Sequence, residues 1–166
     1  MLKEPNAGTL EFYRTRHAAE TVLTLRLFQS FISADLSYKP HERSASARDI
    51  VWTIVKGLII RNDVAARADA ETSLGSASSF DVLIWQFEEL SASLSNKLAH
   101  MDQKCWEQSA KLHAGEQLLL ERPLSEILWL FHFDLIHHRG QLSTYLRPMG
   151  LKVPSIYGRS GDESAG

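Results

Sequence analysis

The chain has 166 residues, 44% hydrophobic and 23% charged, with nine glycines and five prolines. That is enough chain to bury one continuous core without disulfides or a structural metal, and the composition excludes a disordered or fibrous protein. Eighteen basic and twenty acidic residues are interspersed and leave a net charge of −2, so no basic field marks a nucleic-acid partner. Cys105 has no second cysteine with which to form an internal disulfide or a cysteine zinc cage, which fits an expected cytoplasmic location. The opening MLKEPNAGTLEFYRTRH lacks the apolar core of a secretory signal. The most apolar run, Ile50 to Ile60, is interrupted by Lys56 and is too short to span a bilayer, so no membrane association is expected.

Four helical stretches follow in chain order. The first is predicted from about Thr9 to Ile32, with Phe12, Val22, Leu25, Phe28 and Ile32 at three-and-four spacing. A loop carrying Pro40 leads to a second helix from about Ser46, where Ser46 and Asp49 approximate a capping box. Its wide apolar face, Ile50, Val51, Ile54, Val55, Leu58 and Ile59, predicts a central position. After the break at residues 73–79, Phe80, Leu83, Phe87, Leu90, Leu94, Leu98 and Met101 form the clearest helical stripe. Residues 102–122 read as a long connection with a short extended piece. Pro123 suits a helix start, Ile127, Leu128, Phe131, Leu135, Leu142, Tyr145 and Leu146 continue the period, and Gly150 stops it. Residues 1–158 are expected to form one domain and residues 159–166 a polar, mobile tail.

The segment FHFDLIHHRGQLSTYLR, residues 131–147, carries the candidate chemistry. Asp134 and His138 are four apart and so share one helix face with Ile127, Phe131, Leu142 and Tyr145, which aims both at the apolar seam. Two readings fit. They are two ligands to a divalent metal, as in bundle sites built from inward-facing acids and histidines, or they are a buried hydrogen-bonded pair with no metal. His137 and His132 point elsewhere by about 100° per residue, and His17, His41, His100 and His113 read as surface or capping residues. Arg139 is expected to bond neighbouring backbone, and Gly140 to permit close packing.

HHRGQLSTYLRPMGLKVPSIYG, residues 137–158, resembles the signature of the DinB/YfiT-like superfamily, and Tyr38-Lys39-Pro40 with Ser46-Ala47-Arg48-Asp49-Ile50 resembles that family's entry into its second helix. The resemblance covers most of the chain. It implies an all-α, up-down-down-up four-helix bundle, often a homodimer, with a three-histidine metal site between the second and fourth bundle helices. It also implies relatives that act as thiol-dependent transferases, isomerases or hydrolases. Mapped onto this chain, the last family ligand falls on His138, the histidine four residues earlier falls on Asp134, and the second-helix histidine falls on Thr53.

Two functions are therefore expected to compete. One is a metalloprotein holding zinc or nickel weakly through Asp134 and His138, with Thr53, His137 and Tyr145 lining the site beside a small-molecule substrate and a low-molecular-weight thiol. The other is a non-catalytic homodimeric bundle, with a binding or stress-related role, that has lost the metal. The sequence assigns no catalytic residue.

Overall fold

The computed structural model describes residues 8–32, 34–66, 70–72, 74–76 and 79–163. Residues 1–7 of the expected domain, Ser73, Ala77 and Ser78 of the predicted break, and residues 164–166 of the predicted tail lie outside them.

Helix α1 spans Leu10–Gln29, capped by Thr9 accepting from the Phe12 N–H. It stops three residues short of the predicted end, and single turns carry the chain through Phe31 and Ala34. Helix α2, Ala47–Ala65, opens with a complete capping box: Ser46 accepts from the Asp49 N–H, and the Asp49 carboxylate accepts from the Ser46 N–H. Its wide apolar face is buried as the pattern required. Helix α3 spans Phe80–His100, and Arg14 of α1 donates to the carbonyls of Leu98 and Met101 where it ends. Helix α5, Leu124–Ser143, begins at Pro123, and Gly150 turns the chain at φ 75° after a 3₁₀ turn, Arg147–Met149.

Between α3 and α5 lies what the sequence presents as a connection. A short helix α4, Gln103–Trp106, seats the buried Trp106. Strands β2, Ser109–Ala114, and β3, Gln117–Pro123, then form an antiparallel hairpin around Gly115, and β1, Ala70–Glu71, pairs parallel to β2. One face of the sheet lies on the bundle, with Ala70 and Leu112 buried and Ala110 and Leu120 packed against the core, while Leu118 and Leu119 stand in solvent. Ser109–Ala114 alternates polar and apolar as such a strand should, but over six residues only, and the run Leu118–Leu120 breaks the alternation in the second strand.

The contacts fix the topology. Chain leaving α2 reaches β1 beside β2, which follows α3, and then returns so that the Trp52 indole of α2 donates to the Gly75 carbonyl just before α3. The crossover makes α2 and α3 parallel. Pairs Arg61–His132 and Gly57–Asp134 run α5 antiparallel to α2, while Tyr13–Leu128 and Glu20–Arg139 run α1 parallel to α5. The result is an up-down-down-up ring in which α2 packs on α5 and α3, and α1 packs on α3 and α5.

The core is crossed by an ion pair. Arg139 and Glu20 meet at 2.6 Å, both almost fully buried. Arg139 also donates to the Glu20 carbonyl, to Thr24 and to the Tyr157 hydroxyl, which in turn donates to Glu20. Arg139 therefore bonds across the bundle to α1, rather than to neighbouring backbone. Gly140 correspondingly makes no close packing contact: among the described residues no atom lies within 4 Å of where its Cβ would be. Where the sequence reads as a tail, Asp162 accepts from Arg147 and from the Val153 N–H, and Glu163 accepts from Ser155.

Truncating one member of a buried pair leaves the other charge uncompensated. Arg139→Met is expected to lower urea-measured stability by about 3–5 kcal/mol. The double variant Glu20→Gln/Arg139→Met should lose less than the sum of the single losses. A single-variant loss under about 1 kcal/mol would show that the pair does not hold α1 to α5.

Candidate functional site

Asp134 and His138 do come together, one turn apart on α5, with Oδ1 and Nε2 separated by 3.3 Å. They sit at the rim of the α2–α5 seam rather than inside it: the side chains are 39% and 22% exposed. Gly57 of α2 faces the acid there: a Cβ on it would make ordinary contact, 3.9 Å from the Asp134 carboxylate and 3.6 Å from Phe131. The antiparallel run of α2 then sets Thr53, one turn before Gly57, toward the His138 level of α5. The Thr53 hydroxyl donates to the Asp49 carbonyl of its own helix at 2.9 Å.

The imidazole of His138 is oriented by Gln141, whose side-chain oxygen lies 3.2 Å from Nδ1. With Nδ1–H donating, the neutral ring presents a bare Nε2 lone pair toward a carboxylate oxygen. Either a proton on Nε2 or a cation between the two groups makes that contact favourable. Two tetrahedral ligands at about 2.0–2.1 Å from zinc stand roughly 3.3 Å apart, so the pair has a chelating span. Among the described residues no cluster of three or more histidine, cysteine, aspartate or glutamate side chains could complete a metal centre.

The remaining predicted residues divide. His137 is exposed and packs its ring edge-on to His138, with centroids 5.1 Å apart. Tyr145 lies past the end of α5 and is buried; its hydroxyl donates to the Ala45 carbonyl and its ring meets Tyr38 edge-to-face. It ties the loop before α2 to the end of α5.

A second constellation, missed in the sequence, lies deeper. His17, read as a surface residue, is buried on α1 and its Nε2 meets the Ser91 carbonyl at 3.2 Å. His132 of α5 is equally buried, and its Nδ1 lies 3.2 Å from a guanidinium nitrogen of Arg61 on α2. Tyr13 stands between them, its ring stacked on His17 and tilted against His132, and donates to the Leu128 carbonyl. Arg61, 1% exposed, has no carboxylate partner among the described residues and is held by neutral groups. Burial, with Arg61 second, pushes the His17 imidazole down to about 4 and the His132 imidazole down to about 3. The only sequence signal was position: His132 and Arg139 are seven apart and share the α5 face that meets α1, roughly opposite Asp134 and His138.

The DinB family profile matches residues 5–165. Two solved structures share the fold. A DinB-like protein from Bacillus cereus superposes with a TM-score of 0.73 at 18% identity, covering 89% of this chain and 97% of that one. A DinB-like protein, YjoA, from Bacillus subtilis superposes with a TM-score of 0.68 at 19% identity, covering 89% of this chain and 99% of that one. No curated protein matches the chain. No helix of the described residues is long and apolar enough to cross a membrane.

Because both buried imidazoles have folded-state values below the unfolded value near 6.5, the unfolded chain takes up protons first as pH falls. Their stability contribution is complete above pH 6.5 and declines toward pH 4. Between pH 7 and 4.5 the loss should be on the order of 4 kcal/mol for the two rings together. The carboxylates held low, such as Asp49 and Asp162, add their loss only below that window. Asp63, raised by burial, acts the other way as one group. Urea midpoints measured across pH 4.5–7 check this, and a flat profile would mean that the two rings are not held neutral.

Proposed function

Since the chain belongs to the DinB family, we propose that it is a bundle of that family whose metal seat is reduced to Asp134 and His138, and that it works as a binding protein without metal-dependent turnover. The observation that carries this is the donor set. Asp134 and His138 keep a chelating span, but the third family position is Thr53, a neutral hydroxyl turned to its own helix carbonyl. A catalytic zinc centre takes about three protein ligands and keeps one position open, so two donors at a half-exposed rim hold a divalent ion weakly. Zinc or nickel bound there would supply Lewis acidity; the residues present do not fit a resident catalytic metal. The thiol-dependent transfer or hydrolysis implied by the resemblance rests on that metal and loses its foundation with it.

Isothermal titration of untagged protein with Zn²⁺ and Ni²⁺ tests the proposal. Wild type should bind no tighter than about 10 μM, and His138→Ala should abolish what binding there is. Thr53→His, which returns an imidazole to the third position, should tighten zinc binding by about 100-fold. Stoichiometric submicromolar zinc in wild type, with turnover of a thiol or ester substrate, would overturn the proposal.

A further inference from the structure

On the opposite side of α5 from the Asp134–His138 pair, a groove of about 780 Å³ runs between the start of α1 and α5. Phe12, Trp129, Leu130, Phe133 and Ile136 wall it and His132 lies at its floor. The volume is that of a small-molecule site, and such sites combine apolar walls with a few fixed polar groups. Phe133 and Leu130 stand 61% and 51% exposed on the walls, whereas His132 is 1% exposed.

That histidine has an unmet hydrogen bond. A guanidinium only donates, so the Nδ1 that Arg61 approaches must accept, and the neutral ring carries its hydrogen on Nε2. Nε2 has no partner among the described residues. The rings of Tyr13 and Trp129 pack on that imidazole, their centroids 5.4 and 5.3 Å from its own, and Nε2 is buried beside them on the ring edge away from Arg61. Buried N–H groups are seldom left unpaired, and this one, polarised by Arg61 through the ring, calls for an acceptor. The surroundings select its charge. Arg61, Arg16 and Arg139 act on His132 together, and Arg16 lines the groove. Against these three cations stand one buried carboxylate, Glu20, shared by Arg16 and Arg139, and the exposed Glu126 on the rim.

We propose that the α1–α5 groove binds a small amphipathic carboxylic acid, its alkyl or aromatic body lying on Phe12, Trp129 and Phe133 and its carboxylate accepting from the His132 Nε2–H. The site shares no residue with the Asp134–His138 pair, so metal titration and ligand titration fail independently.

Calorimetry of the full chain with octanoate and with 1-octanol tests the proposal. Octanoate should bind at least tenfold more tightly than octanol. Phe133→Glu, at an exposed wall position, should weaken octanoate by more than tenfold with an unchanged circular dichroism spectrum and melting temperature. His132→Gln, which keeps a donor, should retain more octanoate affinity than His132→Phe. Equal affinity for acid and alcohol, no octanoate binding at millimolar concentration, or unaltered binding by Phe133→Glu would overturn it. So would a homodimer that shuts the groove, seen as a species that excludes octanoate and that Phe133→Glu dissociates.

Discussion

The structure depends on how this bundle keeps guanidinium groups inside its core. Arg139 is neutralised by Glu20 across the α1–α5 interface, and the Tyr157 hydroxyl bonds both partners and so ties the C-terminal segment to the bundle. Arg61 enters from α2 with no acid to meet it among the described residues and bonds the His132 imidazole, while its Nε has no partner there. A buried guanidinium needs the acceptors around it turned toward it, and this fixes the orientation of His132. Polar bonds of this kind add little net stability for the number of groups they involve. What they set is register: Glu20 with Arg139 and Arg61 with His132 each allow one vertical placement of the paired helices.

Helix α5 consequently presents two chemistries on two faces. Toward α1 it carries His132 and Arg139, buried and locked. Toward α2 it carries Asp134 and His138, at a rim that Gly57 faces. The proposal of a reduced metal seat concerns the second face, and the core electrostatics concern the first. The rim pair is partly accessible, while the inner cluster leaves the His132 Nε2, the Arg61 Nε and the Ser91 hydroxyl without a partner among the described residues.

Much of the fold was legible because it rests on local pattern. The Ser46–Asp49 box, the proline and glycine bounding the last helix, and the stripe from Phe80 to Leu98 each express a constraint within a few residues. The hairpin at 109–123 was legible only as a short extended piece, since the alternation of Ser109–Ala114 is brief and the run Leu118–Leu120 breaks it in the second strand. The contact of Asp134 with His138 followed from four-residue spacing, but its position at a half-exposed rim did not, because that depends on how α2 packs against α5. His17 and Arg139 were misjudged for a related reason: their partners, Ser91 and Glu20, lie 74 and 119 residues away. An isolated polar residue in a helical stripe does not reveal whether a distant partner awaits it.

The central claim is that the buried Arg61 holds His132 in one tautomer: a guanidinium can only donate, so the His132 Nδ1 must accept. A long-range imidazole ¹⁵N–¹H correlation spectrum at pH 8.5, far above the lowered His132 value, reads this directly. The account predicts the hydrogen of His132 on Nε2. A hydrogen on Nδ1 of His132 would contradict it, because Arg61 would then face a donor and the buried guanidinium would have lost the acceptor on which the arrangement rests.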